Sequence, residues 1–553
     1  MSVSEYFSLG NYSRSVSTSS PQAKTWVERG LAWSYAFHHE EAVACFQRAI
    51  AADPDCALAH WGIAYALGPN YNKPWEAFQP GEAQTAVARA HAAVTQAERC
   101  AGLATGPEQA LIAALGYRYP DDRPSGDNAR WNRDYAGAMR AAYRDYPDDL
   151  DVAVLFADAL MNLTPWQLWD TATGKPADGA ATIEIRDVLD RILTSPAGRA
   201  HIGALHLYIH LMEMSQTPED ALWAGELLRD LAPDAGHLVH MPTHLDVLCG
   251  DYRQAVAGND AAIKADARVS EQHGATTFYM LYRAHNYHFK IYGAMFLGQS
   301  HTALETADAL ARLLPDSLLR TEIPPMADWL EGFVSIRVHA LIRFGRWQQL
   351  IDNPLPSDQE LYCVTTAMLA YGKGIAYATT GDIDAARETQ RQFTAAVSRV
   401  PVTRTIFNNT CQDILQVAAA MLAGELDYRE GHYETAFAHL RRAVDLDDDL
   451  PYDEPWAWMQ PARHALGALL LEQGHVEEAG KVYRADLGLD GSLPRPCQHP
   501  GNVWSLHGYH EVLSRLGRTD EAAIIGQQLR IALARADVPI GASCFCRTGA
   551  TRT

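Results

Sequence analysis

Apolar residues recur along this chain at intervals of three and four, in runs separated by short polar breaks. That spacing predicts one amphipathic helix after another. The breaks share a phrase: a glycine, four residues, then an alanine that opens the next apolar run. It reads "GDYRQA" from Gly250, "GQSHTA" from Gly298, "GDIDAA" from Gly381, "GHYETA" from Gly431, "GHVEEA" from Gly474 and "GRTDEA" from Gly517, with "GRWQQL" from Gly345 as a variant. The glycines lie 36 to 50 residues apart. The first unit, "FHHEEAVACFQRAIAADPDCALAHWGIAYAL", lacks the glycine but keeps Ala42, Phe46, Ala49 and Pro54.

Helix, tight turn, helix and proline, with small residues where two helices approach, is the pattern of tetratricopeptide repeats. It predicts an all-α, tetratricopeptide-like helical-repeat solenoid over residues 23–535, a right-handed superhelix with the first helix of each repeat on its concave face. Residues 1–22 form an N-terminal segment, and residues 536–553 a tail that is non-helical by composition. Three stretches rich in proline and glycine, residues 68–83, 117–128 and 164–182, read as insertions. In repeat proteins these gather on one face, often the binding face.

Composition narrows the classes. The 553 residues are 48% hydrophobic and 20% charged, as in an ordinary folded protein. No apolar run approaches the ~18 residues of a membrane helix, and the N-terminus lacks the basic and apolar regions of a secretory signal. These features predict a cytoplasmic protein without a membrane partner. The net charge of −21 opposes nucleic-acid binding, which needs basic surface. Nine cysteines show no disulfide framework and read as mostly reduced. Glycine-rich nucleotide loops, a HExxH zinc-protease motif and a G-x-S-x-G elbow are absent.

The histidines change the picture. Of 22, nine fall between His201 and His288. On the repeat frame, one first helix carries His206, His210 and Glu213 on a stripe about 60° wide. The next carries His237, His240 and His244, and the one after carries His285 and His288. The second helices between them, "EDALWAGELLRDL" and "YRQAVAGNDAAIKAD", contain none. Neighbouring helices sit about 8–10 Å apart, so the stripes are expected to converge in one groove. Imidazole with carboxylate suits a transition metal ion. Pro242 interrupts the middle stripe. Either it kinks a helix there, or the helix begins at Pro242, a favoured first position, with His237 and His240 in a loop.

Other residues fall around this constellation. Cys544 and Cys546 form a CxC that either adds sulfur ligands or stands as two thiols in a tail. Asp158 and Asn162 share a helix face and offer oxygen. His60, Tyr71, Trp75, Asp158, Trp166, Asn286 and His464 are the candidates to bind a substrate.

Longer blocks carry a family likeness: "HEEAVACFQRAIAADPDCALAHWGIAYALGPNYNKPW", "LFADALMNLTPWQLWD", "HLYIHLMEMS", "PDAGHLVHMPTH", "HNYHF", "DEPWAWMQPARHALGALLLEQG" and the terminal "SCFC". The chain resembles bacterial and fungal tetratricopeptide-repeat proteins that share a histidine signature of the form HxxHMP[ST]H and a C-terminal SCFC. The resemblance implies the architecture more than a reaction, and it implies that the blocks rich in His, Trp and Cys serve one site. Three functions follow. The first is a metal-dependent enzyme with copper, iron or zinc on His206, His210, His237, His240, His244, His285 and His288, sulfur from Cys544 or Cys546, and Glu213 as ligand or general base. It would activate water or dioxygen for a small-molecule substrate. The second is an adaptor that binds a peptide or protein partner without metal. The third is a metal-storage or sensing protein with no open coordination position.

Overall fold

The computed structural model describes residues 6–273 and 277–547. Helices run from Pro21 to Leu533, so the all-α reading holds. Among the described residues, β-structure is limited to one isolated bridge and two hairpins of two-residue strands. These pair Trp169–Asp170 with Lys175–Pro176 and Thr405–Ile406 with Asn409–Thr410. No described helix is long and apolar enough to cross a membrane. The chain forms two compact units, residues 1–245 with 261–273 and residues 246–260 with 274–553.

The second unit keeps the regular repeat. All seven glycines of the recurrent phrase adopt positive φ, from 60° at Gly345 to 93° at Gly381. At each, the next N–H returns to the carbonyl five residues earlier, as in Asp251 to Asp246, Asp382 to Tyr377 and Arg518 to Leu513, over 2.7–2.9 Å. This is the Schellman stop, which satisfies helix-end carbonyls and turns the chain back. The alanine or leucine five residues on is fully buried at Ala255, Ala303, Leu350, Ala386, Ala436 and Ala479. One glycine therefore makes the turn, and one small or apolar residue seats the returning helix. Cys363–Thr380 with Ile383–Val397 and Cys411–Arg429 with Tyr433–Asp448 are such hairpins.

After the last helix, residues 536–547 are non-helical and are fastened to the unit. The Asp537 carboxylate accepts the backbone N–H groups of Ser300 (2.7 Å) and His301 (2.9 Å) at the start of the helix Ser300–Leu313. Arg343 donates to the Ser543 carbonyl over 3.0 Å, and Arg429 to that of Cys546.

The first unit is less regular. Its opening hairpin joins Pro21–Tyr35 to His39–Ala52. The N–H of His38 returns to the Trp33 carbonyl (3.0 Å), the same stop as in the second unit. The residue in the glycine's seat is Phe37, at φ 54°. A non-glycine residue there costs about 1–2 kcal/mol. The Phe46 ring is fully buried between Gly30, in the first helix, and Gly62, in Ala57–Ala66.

A Cβ at Gly30 or Gly62 would overlap that ring, whereas one at Gly81 would meet open space. Helix propensity favours Ala over Gly by about 1 kcal/mol, but overpacking costs about 1–3 kcal/mol. Gly62→Ala is therefore expected to lower stability in urea unfolding and Gly81→Ala to leave it level or raise it. Equal effects from both would refute the close-packing account.

Candidate metal centre

The helix Ile202–Glu213 is buried along its whole length. Its N-cap is His201, whose Nδ1 accepts the Ala204 N–H (3.2 Å) while its Nε2 meets Asp151 (3.2 Å). A helix enclosed on all sides must satisfy every polar side chain internally. His206, His210 and Glu213 lie on one face, one turn apart. Opposite runs a short helix, Gly236–His240, then Met241, then the helix Pro242–Leu248. Pro242 thus opens a new helix, where its missing N–H costs nothing. His237 and His240 sit on a helical turn of their own rather than in a loop. The break at Met241 turns the chain between these two and His244.

Five imidazoles meet here. His206, His210 and His240 are 0% exposed, and His237 and His244 are 2% exposed. The Nδ1–H of His206 donates to the Tyr35 carbonyl (2.6 Å). The Nδ1–H groups of His210 and His244 donate to the two oxygens of Glu213, over 2.9 and 2.7 Å. A carbonyl or carboxylate can only accept, so these bonds fix three tautomers and leave a lone pair on each Nε2. His206 Nε2 faces His237 Nε2 at 3.1 Å, and His240 Nε2 faces His244 Nε2 at 2.7 Å. His206, His210 and His237 each bring a ring nitrogen within 4.8 Å of the others. The buried Nε2 of His210 has no hydrogen-bond partner. Burial pushes the His206 pKa down to about 3 and those of His210 and His237 well below the usual imidazole range. Neutral imidazoles are the ligand form, with no charge to displace.

Aromatic rings wall this cluster. Phe37 lies 4.5 Å from His206 and is nearly parallel to His210 and His237, at 5.9 and 5.6 Å between centroids. Tyr71 and Trp166 pack on each other at 5.3 Å and on His210 at 5.0 and 5.9 Å. Trp166 also has positive φ, 60°. Strained backbone held by its surroundings is a mark of functional sites. Among the described residues of the first unit, the two non-glycine residues at positive φ both carry a ring to His210.

Of the expected residues, His206, His210, His237, His240, His244, Glu213, Tyr71 and Trp166 are brought together. Glu213 is not a free base: both its oxygens hold imidazoles, which makes it a positioning group. Three expected substrate residues are committed to other contacts. His60 Nε2 bonds the Pro54 carbonyl (2.9 Å), Trp75 Nε1 donates to Asn132 Oδ1 (3.2 Å), and Asp158 accepts from Tyr65 (2.9 Å) and Asn162 (3.1 Å).

His285, Asn286 and His288 are buried on the helix Tyr279–Leu297 of the second unit. There His285 packs edge-on to Phe407 at 4.9 Å, and His288 Nε2 lies 2.7 Å from Met459 Sδ. His464 is held between Asp486 and Arg343, 3.0 Å from each. Cys544 and Cys546 are joined to each other as a disulfide. In that state neither is the thiolate that a metal takes. Sequence reasoning missed Phe37 and the Tyr35 carbonyl. The missing glycine in the first repeat was the available signal for Phe37.

Residues 23–56 match the tetratricopeptide-repeat family model. No curated protein matches the chain. Three solved structures are similar at 11% identity. One is a Rap protein complexed with competence and sporulation factor, with TM-score 0.30, covering 72% of this chain and 98% of that one. A second is an IFIT1 monomeric mutant with Gppp-AAAA, with TM-score 0.33, covering 92% and 99%. The third is the APC/C hetero-tetramer Cut9–Hcn1, with TM-score 0.27, covering 96% of each chain. Likenesses this distant carry no argument about what the chain does.

Glu213→Ala removes the acceptor of two buried imidazole N–H groups, at about 1–3 kcal/mol for each. Urea unfolding of the metal-free variant is expected to show a loss of about 2–6 kcal/mol. A loss below about 1 kcal/mol would mean that Glu213 does not organise the cluster.

Proposed function

We propose that this helical-repeat protein is a metal-dependent enzyme whose transition metal ion is held by His206, His210 and His237. The observation that carries the reading is the hydrogen bonding of the far ring nitrogens. A metal-bound histidine characteristically donates its other N–H to a carboxylate or a backbone carbonyl. His206 and His210 do so, to Tyr35 and Glu213, and each has a ring nitrogen within 4.8 Å of one on His237. His240 and His244 form an adjoining pair with a third Nδ1 held by Glu213.

Three neutral nitrogen ligands leave a fourth position of a tetrahedral ion open, as in catalytic rather than structural sites. Such an ion lowers the pKa of bound water or binds dioxygen. The chain's own residues supply the rest. Glu213 and Tyr35 fix ring orientation, and Phe37, Tyr71 and Trp166 keep water from the far side of the rings. Imidazole donors suit copper, iron and zinc. The repeat match at residues 23–56 favours a second reading, capture of a peptide or protein partner, which needs no ion.

Protein purified without a histidine tag or chelator is expected to carry about one transition metal ion per chain. His210→Ala is expected to lose it. Glu213→Gln keeps the shape but supplies only one acceptor, and is expected to weaken metal affinity about 10–100-fold. An optical spectrum that responds to added cyanide or dioxygen would mark the open position. A copper or iron ion that ignores both would favour storage, whereas colourless zinc would mark a hydrolase, read by hydrolysis and not by colour. Wild-type protein that takes up no copper, iron or zinc on titration would leave the adaptor reading.

A further inference from the structure

The insertion at residues 117–128 contributes no residue to the histidine cluster, yet it carries a buried cation whose side chain makes no hydrogen bond. Arg118 follows the helix Gly106–Gly116 and is 0% exposed. Its Nε, Nη1 and Nη2 make no hydrogen bond within the chain. Its guanidinium lies 4.1 Å above the ring of Tyr135, from the helix Asn128–Asp145. The buried hydroxyl of Tyr135 and the Oδ1 of Asn162 have no hydrogen-bond partner either, and the hydroxyl of Tyr119 has only Arg118 beside it. Folded proteins leave few such groups, because each costs free energy and a bare buried cation costs most.

Asp158 offsets the cation only through space and makes no hydrogen bond to it. Its oxygens are taken by the Tyr65 hydroxyl and Asn162 Nδ2. Burial raises its pKa to about 6, against the pull of Arg118. The bonds from Asn162 Nδ2 to Asp158 also fix the amide, so Oδ1 is the atom left over. Gly68 completes the arrangement, since a side chain there would collide with the Tyr119 hydroxyl.

We propose that Arg118, Tyr119, Tyr135 and Asn162 form a second buried site, which binds the carboxylate of a small organic acid. A planar guanidinium matches a carboxylate with two parallel hydrogen bonds. The phenols add two donors, and Asn162 Oδ1 accepts a hydroxyl on the guest. The Asp158 carboxylate beside the site disfavours a doubly charged phosphate. Rings of Tyr65, His39 and Phe37 run in series from this site to His206, with centroids 6.1, 6.4 and 4.5 Å apart. The inference names a substrate class for the enzyme proposed above. It rests on that reading for the word substrate, and the binding itself needs no metal.

The test is acetate titrated into metal-free protein by calorimetry at constant ionic strength against chloride. One saturable site is expected. Tyr119→Phe and Tyr135→Phe, which keep the fold, are each expected to weaken it about tenfold, the worth of one charge-assisted hydrogen bond. Arg118→Met is expected to abolish it and leave metal uptake intact. If wild-type protein gives no saturable acetate binding, the groups are solvated by ordered water and the proposal fails. Binding unchanged in all three variants is adventitious and overturns it equally. Acetate binding without metal uptake would sink the enzyme reading and keep this site.

Discussion

Everything at the histidine cluster depends on hydrogen bonds made by the ring nitrogens that face away from it. An imidazole shut from water must satisfy one donor and one acceptor. Tyr35 and Glu213 take the donors of three rings, so the acceptors of those rings have to be satisfied inward. One carboxylate with both oxygens engaged couples the helix Ile202–Glu213 to the helix Pro242–Leu248. Orientation of the rings is thereby a property of the helices and not of the side chains alone. The same bonds explain why the helices are buried all round: solvent at Glu213 would compete for the oxygens that hold the rings.

The fold was legible because its turns are written with glycine. Each recurrent phrase in the second unit became a positive-φ stop, and the residue five places on became a core contact. The stripes His206–His210–Glu213 and His237–His240–His244 were legible too, since a spacing of three or four residues is all that a helix face requires. The role of Glu213 was not. Spacing places a carboxylate near imidazoles but does not say whether it faces the shared point or the rings' outer nitrogens. Pro242 allowed two readings, and the structure combines them: the helix begins there, yet the preceding histidines are helical as well.

Two residues delivered by irregular backbone escaped notice for a physical reason. Phe37 and Arg118 lie in a turn and an insertion, where no periodicity ties sequence position to direction. Tyr71 and Trp75 share another insertion and have different ends, one on His210 and the other on Asn132. Phe37 is the instructive case. The glycine frame predicted a turn at that position, and the turn is present, with its strain accepted so that an aromatic ring can reach three histidines. The departure from the repeat marks the residue that packs on the cluster.

The fastening of residues 536–547 bears on how the second unit comes to exist. Ordinary repeat arrays contact only their neighbours, so they can begin folding anywhere and extend from either end. Here Asp537 caps a helix that starts 237 residues earlier. That contact closes the array upon itself and gives it a long-range constraint like those of slow-folding sheet proteins. The complete set of contacts in this unit therefore exists only once residues 536–547 are in place, a condition that arrays of neighbour-only contacts do not have.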